Sequence, residues 1–407
     1  MPLARTAALR EELARALPER PFTVRFWDGT ELPASGDSGG SGGGPNFSVR
    51  SPAAVAHCLR APGQLGLSRA YASGGLDVDD LDAALRLLDT WSPPAIDGRA
   101  KLRLALGAAR ACGITRPPRR PAAELRPRGE RHSRTRDARA VRHHYDVPGE
   151  FFALFLDSSM TYSCGIFSRG ATTLEDAQEA KLDLICTKLA LEPGERVLDV
   201  GCGWGSFAIH AARRYGVEVV GITLSEPQAE LATRRVREAG LADRVQIRVA
   251  DYRDPGDAGF DAIASIGMVE HVGDEQLDLY AERLAERLVP GGRLLNHGIA
   301  ILPHGDVAAG PFSDRYVFPD ALPPHLSSVQ LALERAGLVT GLVEGFPEDY
   351  AETLRHWARR LDERLDEARS LAGPERCRVW RLYLRAARNG FETGFTSVYQ
   401  VSCRRPR

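Results

Sequence analysis

The chain has 407 residues, enough for one large domain and a smaller one. With 43 % hydrophobic and 26 % charged residues it is an ordinary folded protein, and a net charge of −1 excludes a globally basic nucleic-acid binder. No run approaches the roughly 18 apolar residues of a spanning helix, and seven dispersed cysteines without a Cys-x-x-Cys pair exclude a zinc ribbon or a dithiol redox site. The cysteines read as reduced thiols of a cytoplasmic protein, and the charged stretch "MPLARTAALREELARALPER" lacks the apolar core of a signal peptide.

Residues 1–114 alternate strand-like runs ("FTVRFWDG", "FSVRSP") with helical ones ("AAVAHCLRA", "LDAALRLLDTW") around a Gly/Ser loop, "SGDSGGSGGGPN". This pattern predicts a small α+β accessory domain with no chemistry of its own. Residues 115–142 carry ten arginines against three acids, which reads either as a solvated linker or as a contact for anionic phospholipid. From 143 to 407 the pattern becomes strand, turn, helix. The strands are "RVLDVG", "EVVGIT", "VQIRVAD", "FDAIASIG" and "GRLLNHGIA", with "QLDLYAERLAERLVPGG" read as a helix before the last. Continuous apolar strands between amphipathic helices predict a doubly wound α/β sheet, with its ligand beyond the carboxyl ends of the strands. Two more strands, "LVTGLVEGF" and "TSVYQVSC", bracket a helical insertion over 349–391 that carries Trp357, Leu361, Leu365 and Trp380.

"VLDVGCGWGSF" places Gly201, Gly203 and Gly205 after the first strand of this domain. Such a turn serves many nucleotide-like ligands. Asp199 before it would repel a pyrophosphate but suits a cationic methionyl amine. Thr223, Ser225 and Gln228 after the second strand suit ribose hydroxyls, and Asp251 and Tyr252 after the third suit an adenine. The set favours S-adenosylmethionine, with a dinucleotide as the alternative. No residue cluster has metal-ligand spacing.

The runs "HHYDVPGEFFALFLDSSMTYSCGIF" (143–167), "VLDVGCGWGSF", "SIGMVEHVG" (265–273) and "HGIA" (297–300) resemble the cyclopropane fatty-acid synthase family, which includes the mycolic acid cyclopropane synthases and related lipid C-methyltransferases. The resemblance spans residues 140–405. It implies a class I methyltransferase (Rossmann-like) fold with a helical lid, and S-adenosylmethionine and bicarbonate as cofactors. It adds Tyr162 and Ser163 to the cofactor site and puts the bicarbonate on Cys164, Glu270, His297, the Ile299 amide and Tyr350. His and Tyr would donate to bicarbonate oxygens and Glu would accept its hydroxyl proton. His144 is a candidate pocket residue. Each also has a plainer reading, such as Cys164 as a small buried apolar group or His297 as a hydrogen-bonded core histidine.

The implied reaction is methylenation of a cis double bond in phospholipid acyl chains, giving a cyclopropane. The same cation resolved by a hydride shift would give a methylene branch, and a non-catalytic lipid-binding relative is the reading from another class. Expected partners are unsaturated phospholipid acyl chains at the inner face of the membrane, with no nucleic acid. The resemblance leaves room for a homodimer, and for a reductase partner if the product is methylene-branched.

Overall fold

The computed structural model describes residues 6–35, 44–113, 117–125, 130–131, 133–134, 136–137, 147–303 and 310–407. The chain forms two compact units, one of 1–126 with 310–317 and 372–386, the other of 127–309, 318–371 and 387–407.

In the first unit, β1 (Thr23–Phe26), β2 (Glu31–Leu32), β3 (Asn46–Val49) and β4 (Leu76–Val78) form a sheet in the order β2-β1-β3-β4. Leu9, Phe26, Leu32, Ala108 and Ala111 make its core with the helices Ala7–Ala16 and Gly98–Cys112. Neither helix was singled out by sequence pattern, because both are short of large apolar residues. Trp380 lies in this unit and Trp357 in the other, so the insertion at 349–391 is shared between them. Its helices are Pro347–Glu363 and Leu365–Glu392, the second kinked at Gly373 (φ 78°) before Pro374.

The second unit is built on a seven-stranded sheet: β5 (Arg196–Val200), β6 (Glu218–Thr223), β7 (Val245–Val249), β8 (Phe260–Ile266), β9 (Leu288–Ile301), β10 (Val339–Gly345) and β11 (Thr396–Arg404). Its order is β10-β11-β9-β8-β5-β6-β7. Strands β9 to β7 run parallel, and β11 enters antiparallel between β9 and β10. Both faces are covered. Val197 packs with Phe207, Ala262 and Ile185 on one side, while Leu198 and Val200 pack with Ile263, Leu284 and Leu333 on the other. Each such buried aliphatic side chain contributes roughly 1.5–3 kcal/mol. The helix expected through "VPGG" ends earlier, at Arg287, and β9 begins at Leu288. Pro290 cannot donate a helical bond and Gly291 takes a φ of 79°. From β5 the chain runs outward to β6 and β7 and then crosses back to β8 on the other side of β5, a reversal that opens a crevice at the ends of these strands. Among the described residues no helix is long and apolar enough to cross a membrane.

Candidate active site

A cavity opens at that crevice. Asp199, Gly201, Gly203 and Trp204 form one wall, Thr223, Gln228 and Tyr252 another, and Tyr162, Ser163 and Lys181 close it. Gly203 holds a φ of 53°, and no atom stands within 4 Å of where its Cβ would be. A left-handed φ costs a residue with a Cβ about 1–2 kcal/mol, a loss that a domain of this size survives. Gly203→Val is therefore expected to stay folded by circular dichroism yet lose cofactor affinity in calorimetry. Unchanged affinity in a folded variant would remove the cradle assignment.

Asp199 supplies the polar contact. It is 2 % exposed and, among the described residues, its Oδ2 has no hydrogen-bond partner. Burial pushes its carboxyl up to about 7, opposed by Lys181. Lys181, 1 % exposed, donates to Ser163 Oγ at 2.9 Å. Burial brings its ammonium down to about 8, against the attraction of Asp157, Cys164 and Asp199. A buried carboxylate oxygen lacking a donor is costly, and an α-ammonium group relieves it. The residues present thus fit the methionyl end of S-adenosylmethionine.

Three sequence-predicted cofactor residues do not line the cavity; they shape it. Gly205 lies where a Cβ would come 3.3 Å from Ala232 Cβ, so it serves the approach of the helix Glu226–Glu238. Ser225 caps that helix, accepting from Gln228 N. Asp251 is held by Arg253 through Nε (2.9 Å) and Nη2 (2.6 Å). Burial works to raise its pKa, but these bonds keep it below the usual carboxylate value. Asp137, missed in the sequence, lines the cavity and pairs with Arg253 at 2.9 Å. His143 and His144 lie outside the described residues.

The proposed catalytic residues come from four places. A Cβ on Gly298 would stand 2.3 Å from Val269 Cγ1, so its absence lets the turn Val269–His271 lie against β9. Glu270 Oε1 then accepts from the Ile299 amide at 2.6 Å. That amide, expected to hold bicarbonate, is thus already engaged. Glu270 Oε2 is buried and unpartnered among the described residues, and burial pushes the carboxyl up to about 7 against the Ile299 hydrogen bond. His297 is 1 % exposed, with Nδ1 3.1 Å from Gln400 Nε2 and Nε2 without a partner among the described residues. Burial, with Lys181 and Lys188 nearby, brings its pKa down to about 3, so the ring is neutral.

Cys164 is fully buried, and burial raises its thiol pKa, so it is no nucleophile. Its turn is clamped by the helix Pro347–Glu363. Thr353 Oγ1 accepts from Gly165 N at 2.9 Å, and Asp349 accepts from the amides of Phe167 (2.5 Å) and Ser168 (2.7 Å). Tyr350 follows Asp349 and packs against Trp357 and Phe391, with ring centroids 6.2 and 4.6 Å away. Tyr162 lies 5.2 Å from the Trp357 ring. Gln178, one turn before Lys181, donates to Ser163 O at 2.8 Å. Lys181, Gln178, Asp349 and Thr353 were not read from the sequence. On a helix a lone polar residue reads as surface, and only the fully buried face of Leu174–Lys188 and its run of apolar neighbours could have flagged the first two.

An α/β sheet with this glycine turn, an acid at the end of β5 and a polar wall at the ends of β6 and β7 defines a class I S-adenosylmethionine-dependent methyltransferase. The family model described as mycolic acid cyclopropane synthetase matches residues 132–401. The chain belongs to that family and is a methyltransferase of the cyclopropane synthase type. It is 39 % identical to a probable fatty acid methyltransferase of Mycobacterium tuberculosis, over 96 % of this chain and 92 % of that protein. It is 35 % identical to the cyclopropane-fatty-acyl-phospholipid synthase of Escherichia coli, over 67 % of this chain and 65 % of that one. A solved mycolic acid cyclopropane synthase, complexed with SAH and CTAB, matches with a TM-score of 0.62 at 33 % identity, covering 66 % of this chain and 98 % of that structure.

Proposed function

We propose that the protein adds a methylene carbon to the cis double bond of unsaturated phospholipid acyl chains, giving a cyclopropane. The observation that carries this reading is the pair of unpartnered polar atoms, Glu270 Oε2 and His297 Nε2, buried in a methyltransferase of this family. S-Adenosylmethionine supplies the electrophilic methyl group. The alkene π pair bonds to that methyl carbon, the sulfur keeps its bonding pair, and a carbocation is left on the neighbouring carbon. Loss of a proton from the new methyl closes the ring. Asp199 and Lys181 orient the cofactor end of the site, while Trp357, Tyr350 and Phe391 keep water from the cation. The proton acceptor in this reading is bicarbonate, with His297 donating to it and Glu270 accepting from its hydroxyl.

A second reading has the cation resolved to a methylene branch. It is favoured by the relative named a fatty acid methyltransferase, which is similar along almost the whole chain. Expression in a host that makes unsaturated phospholipids, with NMR of the fatty acid methyl esters, separates the two. Cyclopropane protons support the first, exomethylene protons the second, and neither product removes both.

Contact with a lipid surface belongs to the same proposal. Arg99, Leu102, Leu106 and Arg110 share one exposed stripe of the helix Gly98–Cys112, with Leu102 61 % and Leu106 48 % exposed, while Arg103 on the same stripe pairs with Glu12 at 3.0 Å. In the Arg-rich stretch Arg131 and Arg136 pair with Asp320 and Arg134 with Asp254, while Arg119 and Arg120 are exposed. Binding to anionic vesicles is expected to weaken with salt, at about 1 kcal/mol per contacting arginine. It should also weaken in Leu102→Ser/Leu106→Ser, as read by flotation. Equal binding to neutral vesicles would remove the electrostatic part.

A further inference from the structure

His297 is linked by hydrogen bonds and an ion pair to the nearer edge of its sheet. Glu344 on β10, Gln400 on β11 and His297 on β9 occupy one row, each directly opposite the next in the register. Lys188, the last residue of the helix Leu174–Lys188, reaches this row with Nζ 2.6 Å from Glu344 Oε2 and 2.7 Å from Gln400 Oε1. Gln400 Nε2 in turn stands 3.1 Å from His297 Nδ1. Gln400 is fully buried and Lys188 is 8 % exposed at its side chain.

Each link constrains the next. An ammonium has three donors and no acceptor, so only the oxygen of the Gln400 amide can face it. Glu344 beside Lys188 favours the charged form, opposing the burial that lowers its pKa. The amide nitrogen is thereby turned to His297, and a neutral ring facing a donor must accept through Nδ1. The ring proton is then on Nε2. That atom is buried and has no partner among the described residues.

We infer that Lys188 and Gln400 are positioning residues that lock His297 as the Nε2–H tautomer, so that His297 serves the reaction as a hydrogen-bond donor to an anion or oxygen and not as a base. The inference rests on the reading that His297 faces the reacting centre. It assigns proton acceptance away from the only imidazole in the proposed set. It also gives the two residues a role that packing alone would not demand. The burial that keeps the ring neutral, reinforced by Lys181 and Lys188, agrees with a donor that never carries charge.

The test is NMR of protein labelled with 15N-histidine, the His297 signal being assigned by its loss in His297→Asn. The wild type is expected to show a neutral ring protonated at Nε2, unchanged across the pH range in which a free imidazole titrates. Gln400→Glu puts a second acceptor opposite Nδ1. It is expected to move the proton to Nδ1 and lower kcat about 10²-fold or more, the scale of losing one acid–base partner, with cofactor affinity by calorimetry unchanged. Lys188→Met removes the reason for the amide's orientation and should give a mixture of tautomers with an intermediate kcat, which covers the case in which Gln400→Glu fails to fold. A wild-type ring protonated at Nδ1, or one titrating as a free imidazole does, overturns the lock. A flipped tautomer with undiminished kcat overturns the donor role. Failure of the underlying reading is recognised separately, as a wild-type enzyme that forms neither cyclopropane nor methylene-branched product.

Discussion

Glu270→Gln is expected to lower turnover 10²–10⁴-fold, the usual contribution of a group acting on the proton in the chemical step, while S-adenosylmethionine affinity stays at the wild-type value. Glutamine is nearly isosteric, so its amide oxygen keeps the bond from the Ile299 amide that Oε1 now accepts. The change falls on the other atom. Oε2, buried and without a donor, becomes an NH2 group that repels a hydroxyl proton where the carboxylate would have accepted it. Stripping dissolved carbon dioxide should slow the wild type, and added bicarbonate should restore it. The same substitution has a stability signature. The carboxyl pKa is raised to about 7 in the fold, so its contribution is fully present below the unfolded value and is lost as pH rises through 7. The variant should therefore be the more heat-stable protein at pH 8, with the difference fading toward pH 4. Near wild-type turnover together with indifference to bicarbonate would remove the proposed base.

The second large effect is on binding. Asp199→Asn removes the carboxylate that the α-ammonium of the cofactor would pair with, a loss of about 2–5 kcal/mol for a buried charge pair, or roughly thirty- to several-thousand-fold in Kd. Without cofactor the sign reverses. The Asp199 carboxyl is raised to about 7 by burial, so the folded chain holds its ionised form at a cost above that pH. Asparagine does not carry this cost, and the ligand-free variant should melt higher than the wild type at pH 8. The gain is on the order of a few kcal/mol at most, reduced because Lys181 loses a countercharge. Calorimetry and thermal denaturation on one preparation check both halves. A variant that binds normally, or that is destabilised at pH 8, would contradict the assignment.

Much of the molecule is legible in one dimension. The parallel strands announce themselves because burial on both faces forces continuous apolar runs, and "VLDVGCGWGSF" declares a close backbone approach because only glycine holds those φ values cheaply. Asp199, Thr223, Gln228 and Tyr252 follow because strand ends in such a sheet meet at one crevice. What the chain does not declare is decided by packing across the sheet and around it. Nothing in "QEAKLDLICTK" says that Lys181 is fully buried near the Asp199 carboxylate, since a lysine on a helix is ordinarily solvated. Whether Asp251 meets an adenine or an arginine depended on where Arg253 turned, and Gly205 went to a helix contact and not to a ligand. The proton on His297 is the sharpest case. Its position depends on Gln400, 103 residues away, and on Lys188, 109 residues before it; strand register sets Gln400 opposite His297, and packing of the helix Leu174–Lys188 brings Lys188 to Gln400. Local sequence determines what each segment can become, because backbone geometry and apolar periodicity act over a few residues. Hydrogen-bond partners and charge states belong to the tertiary structure, because they depend on which atoms are excluded from water together.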